Sequence, residues 1–145
     1  GDFTLTARAD RIDHLRGGGL AIVDYKTGAV PKAGDVKAGF APQLALEAIL
    51  AMAGGFENIP EETVRDLLYL QLSGASPAGK AALLKDPESL VDEARAGLQR
   101  LIAAFDDPRT PYLSEPRPAM APAYSDYRHL ARVQEWTDMR EEGGT

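Results

Sequence analysis

Four apolar residues in a row, Leu20-Ala21-Ile22-Val23, run into Asp24-Tyr25-Lys26-Thr27-Gly28 and follow three glycines, Gly17-Gly18-Gly19. An unbroken apolar run of this length suits a strand covered on both faces. The glycines supply a turn that folds it back on the segment before it. That preceding segment, Phe3 to Asp13, alternates in strand fashion and is rich in Thr and Ile. A hairpin centred near Gly17 pairs Ile12 with Ile22 and sets Asp10 opposite Asp24. Directly opposed side chains have Cβ atoms about 4.5–5.5 Å apart, so two carboxylates there repel unless a cation joins them. Asp24 and Lys26 are two apart and share a strand face; Asp13 falls on the face opposite Asp10.

Thr27 to Ala41 reads as a loop. A helix is predicted from about Pro42 to Ala53, stopped by Gly54-Gly55, with Leu46, Ile49, Leu50 and Ala53 as its apolar stripe. Gln43 and Glu47 lie one turn apart on one face. Thr63 to Ser73 reads as a third strand. Asp86 can cap a second long helix from Pro87 to about Phe105, with Leu90, Ala94, Leu98, Leu101 and Phe105 on one side. Residues 107–145 read as a C-terminal tail, proline-rich and extended to about Pro122, with a last short helix from Tyr124 to Met139. The order of elements predicts one α/β domain over 1–145, a mixed sheet flanked by helices.

The chain has no cysteine, which excludes a disulfide framework, a thiolate zinc site and a cysteine-held iron–sulfur cluster. A net charge of −6 argues against coating nucleic acid by bulk electrostatics, but not against gripping a phosphate at one cleft. No apolar run approaches the roughly 18 residues that span a bilayer, so no membrane association is expected and the cytoplasm is the expected compartment. The chain opens directly into a strand pattern, and the expectation is a fragment of a longer protein.

Two aspartates on adjacent strands suit Mg²⁺, which takes one or two carboxylates and fills its remaining positions with water and substrate oxygens. The Tyr25 backbone carbonyl could add a ligand. Lysine is a compact charge able to position an attacking water or to stabilise a developing anion. Taken alone, Asp24 and Lys26 read first as a surface ion pair worth about 0–1 kcal/mol; Asp10 on the preceding strand and Thr27-Gly28 after Lys26 strengthen the reading as a site. His14 and His129 read as solvated, and Tyr127 and Trp136 as core cover. Arg8, Arg11, Lys32 and Lys37 read equally as phosphate contacts or as a solvated rim.

Ala9-Asp10-Arg11-Ile12-Asp13, Ile22 to Gly28 and Gln43-Leu44-Ala45-Leu46-Glu47 together resemble the RecB-like branch of the PD-(D/E)XK nuclease superfamily, in particular AddB-type C-terminal nuclease domains. Tyr112 to Pro118 and Tyr127 to Trp136 resemble the ends of such chains. The resemblance implies a restriction-endonuclease-like fold, truncated at its N-terminus. It implies that Asp10 and Asp24 hold metal, that Lys26 is the catalytic lysine, and that Gln43 positions substrate or water. The implied cofactor is Mg²⁺ (or Mn²⁺), without an iron–sulfur cluster. The implied partners are DNA and an AddA-type helicase–nuclease subunit, in double-strand break repair. A non-catalytic nuclease-like scaffold is the alternative. The family also draws a His or Glu from a helix before the first strand, which this sequence does not show, so the isolated fragment is expected to bind metal poorly. Glu47 stands where many relatives carry Tyr.

Overall fold

The structure, a computed structural model, describes residues 2–74, 76, 78–113, 116 and 130. Its elements are β1 (Arg11–His14), β2 (Leu20–Lys26), α1 (Ala33–Lys37), α2 (Gln43–Met52), β3 (Val64–Leu72), β4 (Gly79–Leu83) and α3 (Pro87–Asp106). The sheet runs in the order β1-β2-β3-β4. β1 and β4 are antiparallel to their neighbours, while β2 and β3 are parallel. The parallel pair needs a long crossover, and α1 and α2 provide it. This is the mixed sheet flanked by helices that the sequence predicts.

The hairpin register is the expected one, with Ile12 opposite Ile22 and Arg11 opposite Val23. Its turn closes through Leu15 N–H to Gly19 O (2.9 Å) and Gly18 N–H to Leu15 O (3.0 Å). Gly18 and Gly19 both have positive φ, at 79° and 89°. Gly19 also lies under the Arg65 side chain, where a Cβ would come within 2.8 Å of Cγ and Cδ.

Four expectations need correction. β1 is shorter than Phe3 to Asp13, because residues 2–10 carry no strand pairing and are mostly exposed. Pro42 precedes α2 rather than opening it, and Ala53 is exposed. Part of the loop after Lys26 winds into α1, whose Val36 is buried in the core. Residues 79–83 form β4, although Gly, Lys and Ala are weak strand formers. Pairing with β3, Leu68 to Leu83 and Gln71 to Lys80, overrides that local preference. The predicted helix over 124–139, with Tyr127, His129 and Trp136, lies outside the described residues.

The core lies between the sheet and the helices. Leu20, Ile22, Leu67 and Tyr69 point from β2 and β3 toward Leu44, Ala48 and Ala51 of α2, with Leu90 and Val91 of α3 beside them. Burying a side chain such as Leu20 or Ile22 contributes about 1.5–3 kcal/mol. α2 is buried on more than one side, through Leu44, Ala45, Glu47, Ala48, Ile49 and Ala51, a wider band than the predicted stripe. Asp86 takes a left-handed φ of 55°, and its carboxylate meets Ser89 N–H at 3.5 Å as α3 begins. Leu90 packs, but Leu101 and Phe105 farther along α3 are exposed.

The chain divides into two compact units, residues 1–106 and 107–145. In the second, Asp107 and Arg109 form a local turn, closed by Thr110 N–H to Asp107 O at 2.9 Å. Three Arg109 contacts, two from the guanidinium and one from the backbone N–H, hold the Asp107 carboxyl below its usual range.

Candidate active site

β2 alternates Leu20, Ile22, Asp24 and Lys26 onto the face that α2 covers. The first two are core, and the strand's polar end places the next two beside the N-terminal turn of α2. Asp24 is 2% exposed. Lys26 Nζ lies 2.7 Å from Asp24 Oδ2, an ion pair in which that buried oxygen has no aligned hydrogen bond. Lys26 Nζ also donates to Gln43 Oε1 at 3.2 Å. Gln43 Nε2 in turn donates to Glu47 Oε1 at 3.2 Å. Asp24, Lys26, Gln43 and Glu47 thus form one polar chain from strand to helix. The Tyr69 ring lies below it, its centroid 5.8 Å from Lys26 Nζ.

Asp10 joins from the other side. It precedes β1 and is exposed, yet its Oδ2 accepts the Tyr25 N–H at 3.0 Å. A strand residue aims its N–H and C=O at the same edge. The Tyr25 carbonyl therefore faces the edge where Asp10 sits, past the end of the β1 ladder. The Tyr25 side chain lies on the opposite face, half exposed, where its hydroxyl accepts from Arg11 Nη1 at 3.3 Å. Beyond Lys26, Gln71 Nε2 donates to Gly28 O at 2.9 Å and holds the loop against β3.

All four expected side chains, Asp10, Asp24, Lys26 and Gln43, come to one end of β2. The surrounding basic residues are less unified. Arg11 pairs with Asp13 at 2.8 Å and Lys37 with Glu93 at 3.3 Å. Arg8 and Lys32 are exposed. His14 sits 3.4 Å from Glu62, away from this end of the strand.

Sequence reasoning placed Glu47 on the Gln43 face but gave it no role. It is 2% exposed, and its Oε2 is buried with no hydrogen-bond partner among the described residues. A carboxylate among Leu44, Ala48, Ile49 and Ala51, four residues after a glutamine, was the readable signal. Burial pushes its carboxyl above the usual glutamate range; the charges of Asp24 and Asp10 add to this, while Gln43 and Lys26 oppose it. Burial, reinforced by the acidic side chains Asp24 and Glu47, pushes the Tyr69 phenol up to about 12.

Among the described residues, no three His, Asp or Glu side chains stand in an arrangement ready to hold a metal ion. The donors present are nonetheless hard oxygens: Asp24 buried, Asp10 at the rim and the Tyr25 carbonyl between them. Two carboxylates with water filling the remaining positions suit Mg²⁺ or Mn²⁺, and the buried Asp24 Oδ2 has no aligned hydrogen bond among the described residues. No helix among the described residues is long and apolar enough to cross a membrane.

A family model described as the PD-(D/E)XK nuclease superfamily matches residues 1–123. The chain is also similar to an uncharacterised protein of Rickettsia felis, 32% identical over 78 residues, covering 52% of this chain and 9% of the relative. An uncharacterised protein of Rickettsia bellii is 38% identical over 112 residues, covering 67% of this chain and 13% of the relative. The chain thus spans only about a tenth of the length of these relatives. No solved structure matches.

Proposed function

This chain belongs to the PD-(D/E)XK nuclease superfamily, and from that membership we propose that it hydrolyses DNA phosphodiester bonds with Mg²⁺ (or Mn²⁺) at the Asp10–Asp24–Lys26 cluster. The observation that carries the reading is the Lys26 ammonium held 2.7 Å from a buried Asp24 carboxylate at the end of β2, with Asp10 fixed on the adjoining Tyr25 N–H. A divalent cation there would supply Lewis acidity at the phosphorus and lower the pKa of a bound water. Asp10, Asp24 and the Tyr25 carbonyl are the residues that would hold it. Lys26 keeps one amine hydrogen beyond its contacts with Asp24 and Gln43, and that donor can orient the attacking water or meet charge developing on a phosphoryl oxygen. Gln43 holds the ammonium from the helix side.

The finer part of the proposal is a role as the nuclease domain of a cytoplasmic AddAB-type helicase–nuclease, cutting DNA as an AddA-type subunit unwinds it. The run Ile22 to Gly28, with Asp10 before it and Gln43 after, supports that placement.

The test is cleavage of linear DNA by the full-length protein with and without Mg²⁺, beside Lys26→Ala and Asp24→Ala. Metal-dependent cutting by the wild type, lost in both variants, is expected. Absence of metal-dependent cutting by the wild type would overturn the reading and favour the scaffold alternative.

A further inference from the structure

We infer that Glu47 is a positioning residue for Lys26, acting through the Gln43 amide; this rests on the nuclease reading above. Gln43 is exposed, and its flexible side chain is held at its tip by two hydrogen bonds, to Lys26 and to Glu47. A glutamine amide is asymmetric: its oxygen only accepts and its nitrogen only donates. Lys26 can only donate, so it requires Oε1. Glu47 offers an acceptor one helical turn on, so it requires Nε2. The amide fits between them one way round. Glu47 is the fixed end of this chain, because its side chain is buried at 2% exposure while the exposed Gln43 by itself would swing into water.

Glu47 therefore acts on the reaction without touching metal or DNA. Its buried Oε2 carries no partner among the described residues, which has no use in a purely structural residue: leucine would fill that place without an orphaned oxygen. The acceptor is retained because Gln43 needs it. Where the superfamily pattern has a tyrosine, this chain meets the same helical face with a carboxylate.

The experiment compares Glu47→Leu, Glu47→Gln, Gln43→Ala and the Glu47→Leu/Gln43→Ala double variant in the full-length protein, by DNA cleavage, melting and crystal structure. Glu47→Leu is expected to lower kcat about tenfold to a hundredfold, the effect of a small misplacement of a reacting group, with KM for DNA little changed. Its melting temperature should not fall, which separates positioning from a structural role. Glu47→Gln keeps an acceptor and should restore most of the lost rate. The double variant should be no slower than Gln43→Ala. In the crystal, the Lys26–Gln43 contact should persist in Glu47→Gln and open in Glu47→Leu.

An intact Lys26–Gln43 contact in Glu47→Leu overturns the inference, whatever the activity. So does a Glu47→Gln variant as slow as Glu47→Leu with a raised Mg²⁺ requirement, which would make Glu47 a metal ligand. A wild type that never cuts DNA removes the nuclease reading instead, while the crystal contact still decides the role of Glu47.

Discussion

Replacing Lys26 by Met isolates what the ammonium does for the fold. Methionine keeps the unbranched stem over Tyr69 and removes only the charge. Asp24 then stays buried without its cation, and breaking a buried pair in this way costs about 3–5 kcal/mol. The Lys26 side chain is 29% exposed against 3% for Asp24, so water screens part of the attraction and lowers that range by about 1 kcal/mol. A destabilisation of about 2–4 kcal/mol at pH 7 is expected, on the order of 10–20 °C in melting temperature for a unit of this size. Asp24→Asn should cost little by comparison, because the stranded lysine can turn into water. Urea melts of the three proteins at pH 7 measure both effects. A Lys26→Met loss below about 1 kcal/mol, or one no larger than that of Asp24→Asn, would refute the argument that Asp24 is a buried charge held by Lys26.

Other outcomes follow from neighbouring residues. Because the folded Glu47 carboxyl titrates above its unfolded value, its stability penalty is absent below the ordinary glutamate range and grows as pH rises through the shifted one. Glu47→Gln should thus gain on the wild type between pH 4 and pH 8, read by melting at both; a constant difference would contradict the shift. Tyr69, pushed up to about 12, should remain a neutral phenol at pH 11, where ultraviolet titration should show a late-ionising tyrosine that vanishes in Tyr69→Phe. Gly19→Ala should destabilise by about 1–3 kcal/mol in urea melts, because it puts a Cβ on a positive φ and against Arg65. A neutral result there would mean the hairpin turn relaxes freely.

The hairpin was legible because glycines mark its centre, and the centre alone sets which residues face each other across it. The end of β2 was legible for a similar reason: an apolar run that breaks into Asp24 and Lys26 marks where the strand passes from apolar packing to polar partners, although Asp24 itself stays buried. β4 was hidden because Gly79 to Leu83 has no strand preference of its own and is held by its neighbour. α1 was hidden because five residues carry too little periodicity to read. Glu47 shows the harder limit. Charge alone reads as a solvated face, and only the packing of α2 against both sheet and α3 turns that position inward.

Asp10 stands one residue outside the β1 ladder, on an exposed segment, tied to β2 through the Tyr25 N–H. Asp24 and Lys26 are by contrast anchored on β2, and Gln43 and Glu47 on α2. The two halves of the cluster therefore have different local stabilities, and the segment carrying Asp10 can fray while the rest stays assembled. For the proposed cation, the apparent affinity would equal the intrinsic affinity scaled by the fraction of time Asp10 is docked. Whatever stiffens residues 2–10, be it another segment or a bound DNA strand, would switch the centre on by raising that fraction, with no rearrangement of the buried lysine and aspartate.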